Sequence, residues 1–165
     1  MRLRSLFAAL GFLVAFAAPS QATETSVTVL WFAPSDRVYH GAMMIQNGEV
    51  MEGMQVLGEA LEGRLDFGDI ALAHTNMCAG YLALKLYRDA IKSCNIALSI
   101  RPHMWEALNN RAAAYHMLGD FDAAIASYQQ ALMLSPLDKT LVFNLTLAQR
   151  HKRTGAPPPG VERDG

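Results

Sequence analysis

Residues 71–104 and 105–138 are two copies of one 34-residue pattern. Laid over each other, Asn76 falls on Asn110, Tyr81 on Tyr115, Leu84 on Leu118, Ala90 on Ala124 and Ile91 on Ile125. Ala97, Leu98 and Pro102 fall on Ala131, Leu132 and Pro136. Self-similarity at a fixed period of this length marks a repeat array, in which each unit is too small to bury its own apolar faces and must stack on its neighbours. Function is then to be sought on a surface, because stacked repeats build an extended concave face.

The second copy shows what one unit is. From Glu106 to Leu118, Ala107, Leu108, Ala112, Tyr115 and Leu118 fall on one helical face. Gly119-Asp120 interrupts the pattern, and Phe121 to Leu134 resumes it with Ile125, Tyr128, Ala131 and Leu132. Ser135-Pro136 ends the second helix, since proline cannot continue it and disfavours helix in the residue before it. Each unit therefore reads as two antiparallel helices joined by a tight turn.

The two ends of the chain read differently. Met1-Arg2-Leu3-Arg4 is a short basic stretch, Leu6 to Ala18 is apolar, and Pro19-Ser20-Gln21-Ala22 has the small residues a signal peptidase reads. Residues 1–22 are expected to be a signal peptide cleaved after Ala22, which predicts a periplasmic or secreted protein with no membrane span after cleavage. Losing Arg2 and Arg4 leaves 12 basic residues of 14 against 15 acidic ones, so net charge moves from −1 to −3. That balance argues against nucleic acid or an anionic membrane surface as partner. Residues 23–33 include Val27, Val29, Leu30, Trp31 and Phe32, and read either as an extended cover on the first hairpin or as a docking strand. Residues 154–165 carry Pro157-Pro158-Pro159 and are expected to form a disordered tail.

The hairpin pattern resembles the tetratricopeptide repeat. The family places a small residue at Ala112 and another opposite at Ala124, where the paired helices come closest. It also places aromatics at Tyr115 and Tyr128, glycine at Gly119, alanine at Ala131 and proline at Pro136, and all are present. Residues 71–104 keep Tyr81, Ala90, Ala97 and Pro102 but have Lys85-Leu86 at the turn, with Cys78 and Cys94 where Ala112 and Tyr128 sit. A degenerate copy at 34–67 aligns after a shift of 37, which puts Gly41 on Cys78, Met44 on Tyr81 and Gly53 on Ala90, with the three extra residues assigned to a loop from Glu62 to Asp69. Residues 139–153 read as a capping helix. The resemblance implies an all-α fold, a right-handed superhelix of about three stacked hairpins plus that cap, spanning 34–153.

It also implies a binding surface. In this family the first helix of each hairpin lines the groove, which assigns Thr75, Asn76, Ala79 and Leu82, then Asn109, Asn110, Ala113 and His116, then Phe143, Asn144 and Arg150. The recurring asparagines Asn76, Asn110 and Asn144 suit either the backbone of an extended peptide or a bond between neighbouring helices. The basic clamp that some members use for a peptide carboxylate is absent, because Thr75, Ala79 and Glu106 stand in its places. The implied partner is another protein or peptide, bound through an apolar segment. The register also sets Cys78 and Cys94 facing each other inside one hairpin. They are the only cysteines, and an even count in an oxidising compartment favours a disulfide over two buried thiols that merely fill the core.

Enzyme chemistry finds little support. No phosphate loop, nucleophile elbow or metal-ligand spacing is present, and no catalytic residue, metal or cofactor is expected. His116 and His151 fall near each other, but two ligands without a carboxylate or thiolate make a weak metal site. Met43, Met44, Met51 and Met54 invite a soft-metal reading, although Met44 and Met54 occupy core positions of the repeat. The leading expectation is a non-enzymatic adaptor of the bacterial envelope; the competing one is an accessory or catalytic factor in cell-wall or metal handling.

Overall fold

The computed structural model describes residues 36–158, and these form seven α-helices and no strand. In chain order they are α1 (Asp36–Gln46), α2 (Val50–Glu62), α3 (Phe67–Ala83), α4 (Tyr87–Ile100), α5 (Trp105–Met117), α6 (Phe121–Leu134) and α7 (Lys139–Thr154). The expected signal peptide, the segment 23–33 and the last residues of the tail lie outside the described residues.

Three turns with one hydrogen-bond pattern make the hairpins. The amide of Glu49 donates to the carbonyl of Met44, that of Leu86 to Tyr81 and that of Asp120 to Tyr115, at 2.9, 2.8 and 3.0 Å. This six-to-one closure requires a left-handed residue just before the donor. Gly48 (φ 93°) and Gly119 (φ 79°) supply it freely, whereas in the middle repeat Lys85 is driven to φ 60°. The turn lacking glycine thus keeps the geometry at a steric cost of about 1–2 kcal/mol.

Within each hairpin the helices meet on small residues. A β-carbon placed on Gly41 would come within 3.0 Å of the Gly53 carbonyl, and one on Gly53 within 2.6 Å of the Gly41 carbonyl. The same two places hold Cys78 and Ala90 in the next unit and Ala112 and Ala124 in the third, all fully buried. Cys78 and Cys94 do face each other across α3 and α4, with Cα atoms 5.3 Å apart and their sulfurs in contact. That separation lies inside the range a disulfide can bridge.

Curvature follows from which helices touch. The first helices contact one another in order, α1 with α3, α3 with α5 and α5 with α7, whereas the second helices α2, α4 and α6 make no mutual contact. An array packed along one row and splayed along the other must bend with the first helices inside. The fold is the all-α superhelix expected from the repeat. One core runs from Val38 and Leu57 through Leu72 and Cys94 to Leu108, and a smaller cluster of Ala112, Ala124, Tyr128 and Ala148 seats α7 on the last hairpin.

Two boundaries differ from expectation. The loop drawn from Glu62 to Asp69 is shorter, because the Asp66 side chain accepts from the Asp69 amide at 2.8 Å and starts α3 at Phe67. Helix α3 is accordingly four residues longer than α5, with 17 residues against 13. At the other end, Thr154 belongs to α7, Gly155 caps it at φ 65°, and Pro158 is buried. Helix α7 thus runs one residue into the stretch expected to be a tail, and Thr154, Gly155 and Pro157 are exposed.

Candidate functional site

Helices α1, α3, α5 and α7 present the concave side, and eleven of their residues were expected to line it. Nine of the eleven are buried: Thr75, Asn76, Ala79, Leu82, Asn109, Asn110, Ala113, His116 and Asn144. Only Phe143 and Arg150, both on α7, are exposed.

The buried polar members account for part of this themselves. Asn144 Nδ2 donates to Asn109 Oδ1 at 3.0 Å across α7 and α5, and Asn109 Nδ2 donates to Asn110 Oδ1 at 3.3 Å. Asn144 thus bonds a neighbouring helix, which is one of the two roles the recurrence allowed. Thr75 turns inward onto its own helix, its hydroxyl donating to the Ala71 carbonyl at 2.8 Å. A buried amide must find partners for both ends, and none of Asn76, Asn109, Asn110 and Asn144 lacks one.

His116 and His151 form a direct pair, with Nε2 of His116 2.8 Å from Nδ1 of His151. Phe121 closes around them, its ring centroid 5.6 Å from that of His116 and 6.0 Å from that of His151. Nδ1 of His116 has no hydrogen-bond partner among the described residues. An orphaned acceptor is less costly than an orphaned N–H, so the assignment that fits places the proton on His116 Nε2, donating to His151. Desolvation, followed by the neighbouring His151, pushes the His116 imidazole down to about 4. Burial, with Arg150 adding to it, lowers His151 as well. The pair serves as a neutral clasp between α5 and α7. Among the described residues no group of three or more His, Cys, Asp or Glu is placed to hold a metal.

Among the described residues, the concave side carries no basic clamp at Thr75, Ala79 or Glu106. Glu106 stands on its inner line, and desolvation raises its carboxyl although its own backbone and Arg101 pull the other way. The single exposed cation assigned to this side is Arg150, near the end of α7. Of the methionines, Met51, Met54 and Met77 line an open apolar cleft with Tyr81, Leu84 and Leu86. Met54 also packs on the bare backbone of Gly80, a core-filling role.

One residue with structural weight was not singled out beforehand. Arg111 bridges three helices, reaching Asn95 at 3.1 Å, Ser127 at 3.3 Å and Gln130 at 3.4 Å. Its signal in the sequence is a charge at a place facing the second helix, where Met77 stands one unit earlier.

Comparison with known proteins agrees with this architecture. The family description "Tetratricopeptide repeat" matches residues 105–137. A peptidyl-prolyl cis-trans isomerase, FKBP4 of Mus musculus, is 33% identical over 81 residues, covering 49% of this chain and 18% of that protein. The chain thus spans less than a fifth of the length of that relative. Among solved structures, the second TPR domain of human RPAP3, in complex with the HSP70 peptide SGPTIEEVD, superposes with TM-score 0.61 at 22% identity, covering 67% of this chain and 90% of that one. PcrH in complex with the chaperone binding region of PopD gives TM-score 0.57 at 19% identity, covering 76% and 96%. The chain contains a tetratricopeptide repeat at residues 105–137 and folds, over α1 to α7, as a tetratricopeptide-repeat superhelix.

Proposed function

We propose that this chain is a non-enzymatic adaptor of the bacterial periplasm or cell envelope, which takes an apolar segment of a partner protein along its concave side. The observation that carries this reading is the make-up of that side. It is curved, carries the small or apolar line Ala42, Ala79, Ala113 and Leu147 between uncharged Thr and Asn side chains, and has Arg150 exposed at its α7 end. A small-residue floor suits a segment with large apolar side chains. The acidic peptide bound by the RPAP3 domain needs cations, and Thr75, Ala79 and Glu106 offer none. PcrH, bound to a region of PopD, supports a segment of a protein partner as the kind of ligand for this fold. The envelope setting is supported by the basic, apolar and small-residue succession of residues 1–22 and by the facing Cys78 and Cys94.

Cross-linking in the native envelope followed by mass spectrometry identifies the partner. Capture of that partner is then compared between the unchanged chain and Phe143→Asp with Arg150→Glu, both at exposed positions and therefore tolerated by the fold. Loss of capture supports the concave side as the site, and undiminished capture refutes it. The N-terminal residue of the purified protein tests the compartment: Thr23 is expected, and Met1 would end the export reading.

A further inference from the structure

The three hairpins turn at one edge of the array, where the amides of Glu49, Leu86 and Asp120 close them. Along this edge a cleft opens wherever the second helix of one unit meets the first helix of the next. Met51, Met54, Tyr81, Leu84 and Leu86 line the cleft between α2 and α3, and Arg88, Ile91, Tyr115 and Leu118 line the one between α4 and α5. Their volumes are similar, about 460 and 450 Å³. They are also one place in the repeat: a step of 37 carries Met51 to Arg88 and Met54 to Ile91, and a step of 34 carries Tyr81 to Tyr115 and Leu84 to Leu118. A further step of 34 carries Arg88 to Asp122, Tyr115 to Gln149 and Leu118 to Lys152. In that third copy Lys152 of α7 reaches across to Asp122 of α6 in an ion pair. The chain thus finishes one copy of the place as a polar surface and leaves two apolar. Met51 is 64% exposed, Leu86 46% and Leu118 44%. Apolar groups left together on a surface mark an interaction site.

We infer that this turn edge is a self-association surface, on which a second copy of the chain docks about a two-fold axis between the two clefts. Charge selects the occupant. Glu52 is the one charged residue lining the α2–α3 cleft, whereas Arg88 and Lys92 line the α4–α5 cleft with Asp120. The first cleft is therefore net negative and the second net positive. Asp120 is engaged in capping, its carboxylate accepting from the Ala123 amide at 3.1 Å, and Lys92 pairs with Asp89 at 2.8 Å. Glu52 and Arg88 are in no ion pair among the described residues. Successive units lie about 10 Å apart, so one partner face covers both clefts. A two-fold axis between them lays each copy's Glu52 cleft over the other's Arg88 cleft, two complementary contacts from one patch, and such an isologous contact closes at two subunits. Met51 and Leu86 of one copy then meet Ile91 and Leu118 of the other, and the flexible thioether of Met51 adapts to the surface it faces. Placing like clefts together would set Glu52 against Glu52 and Arg88 against Arg88. The inference goes beyond the adaptor reading, because this edge is separate from the concave side.

Sedimentation equilibrium of the purified full chain across a concentration series should give a mass tending to twice that of one chain. Glu52→Arg and Arg88→Glu, both at exposed positions, should each weaken self-association roughly tenfold, because each sets like charges together twice in the dimer. Mixed in equal amounts, the two variants should recover it as a mixed pair: one carries arginine at both places and the other glutamate at both, so both contacts are complementary again. Arg88→Asp with Leu118→Lys, which copies the polar third unit into the second, should give a folded monomer. Melting temperatures close to that of the unchanged chain show that the variants fold, as substitutions at exposed places allow. A monomer at every concentration overturns the inference. So does a dimer that both single reversals leave intact, or a mixture of the two that stays monomeric.

Discussion

Acid should loosen this array first at its C-terminal clasp. His116 is fully buried between α5 and α7, hydrogen-bonded to His151 and walled by Phe121, with its second nitrogen unpartnered among the described residues. A proton added there makes a buried cation with no counter-ion, which is why burial holds the group down at about 4. In the unfolded chain the same imidazole titrates near its ordinary value of about 6.5. The folded pKa is depressed, so neutral His116 contributes stability that is complete above pH 6.5 and drains away as pH falls towards about 4. Between about pH 7.5 and 5 the full linkage is roughly 2 kcal/mol, and local relaxation around the cation reduces it to about 1–2 kcal/mol. That is a fall in Tm of roughly 5 °C for a domain of this size. Melting curves at those two pH values, for the unchanged chain and for His116→Gln, measure it. Glu106, raised by burial, and His74, lowered by burial, are common to both chains and cancel in the comparison. A Tm that does not change over the window, or an equal fall in His116→Gln, refutes the reasoning.

The turns, contacts and thiols make four further predictions. Lys85→Gly should stabilise the chain by about 1 kcal/mol and Gly119→Ala should cost a similar amount, because both sites hold a left-handed residue; equal and opposite shifts in urea midpoint check this. Ala124→Leu should cost about 1–3 kcal/mol because that residue is fully buried in the tight helix contact, whereas Ala126→Leu, exposed on the same helix, should be near neutral; equal melting temperatures would contradict the register. Tyr128→Phe should be neutral or stabilising by up to about 1 kcal/mol, since the buried hydroxyl has no partner among the described residues; a marked loss in thermal melting would mean a partner exists. Titration of unreduced, denatured protein should find no free thiol from Cys78 and Cys94, and reduction should lower stability by about 3 kcal/mol for a loop of 16 residues.

Periodicity makes whatever repeats legible. Tyr81 and Tyr115, Ala90 and Ala124, and Pro102 and Pro136 placed the helices and turns of two hairpins, and a shift of 37 placed the third through Gly41 and Gly53. What the period hides is anything that happens once. The earlier start of α3 comes from one aspartate, Asp66, whose side chain caps the helix three residues before its amide partner Asp69. Arg111 escapes the pattern because the place holds Met77 one unit earlier, and its partners Asn95 and Gln130 do not recur at the matching places of the other copy. The residues assigned by register lie on α3, α5 and α7, but register says nothing of exposure. Asn109 faces Asn144 and His116 faces His151 because α7 packs against α5, a consequence of superhelical curvature and not of any spacing within one unit.

The middle repeat shows how the two kinds of information combine. Its turn lacks glycine, and Lys85 pays for the conserved hydrogen-bond geometry with a left-handed backbone. The same hairpin is the one in which cysteines stand at the close-contact place, Cys78, and one helical turn beyond the other, Cys94. A cross-link there restricts the unfolded state over the segment that contains the strained turn, so the two features act on one local equilibrium. Lys85→Gly and reduction of the sulfurs are therefore coupled perturbations. Glycine should recover more stability in the reduced chain, where α3 and α4 open independently of the rest, than in the oxidised one, where the link already limits that opening. Equal gains in both redox states would mean that the hairpin does not open by itself, and that the turn and the sulfurs support the array separately.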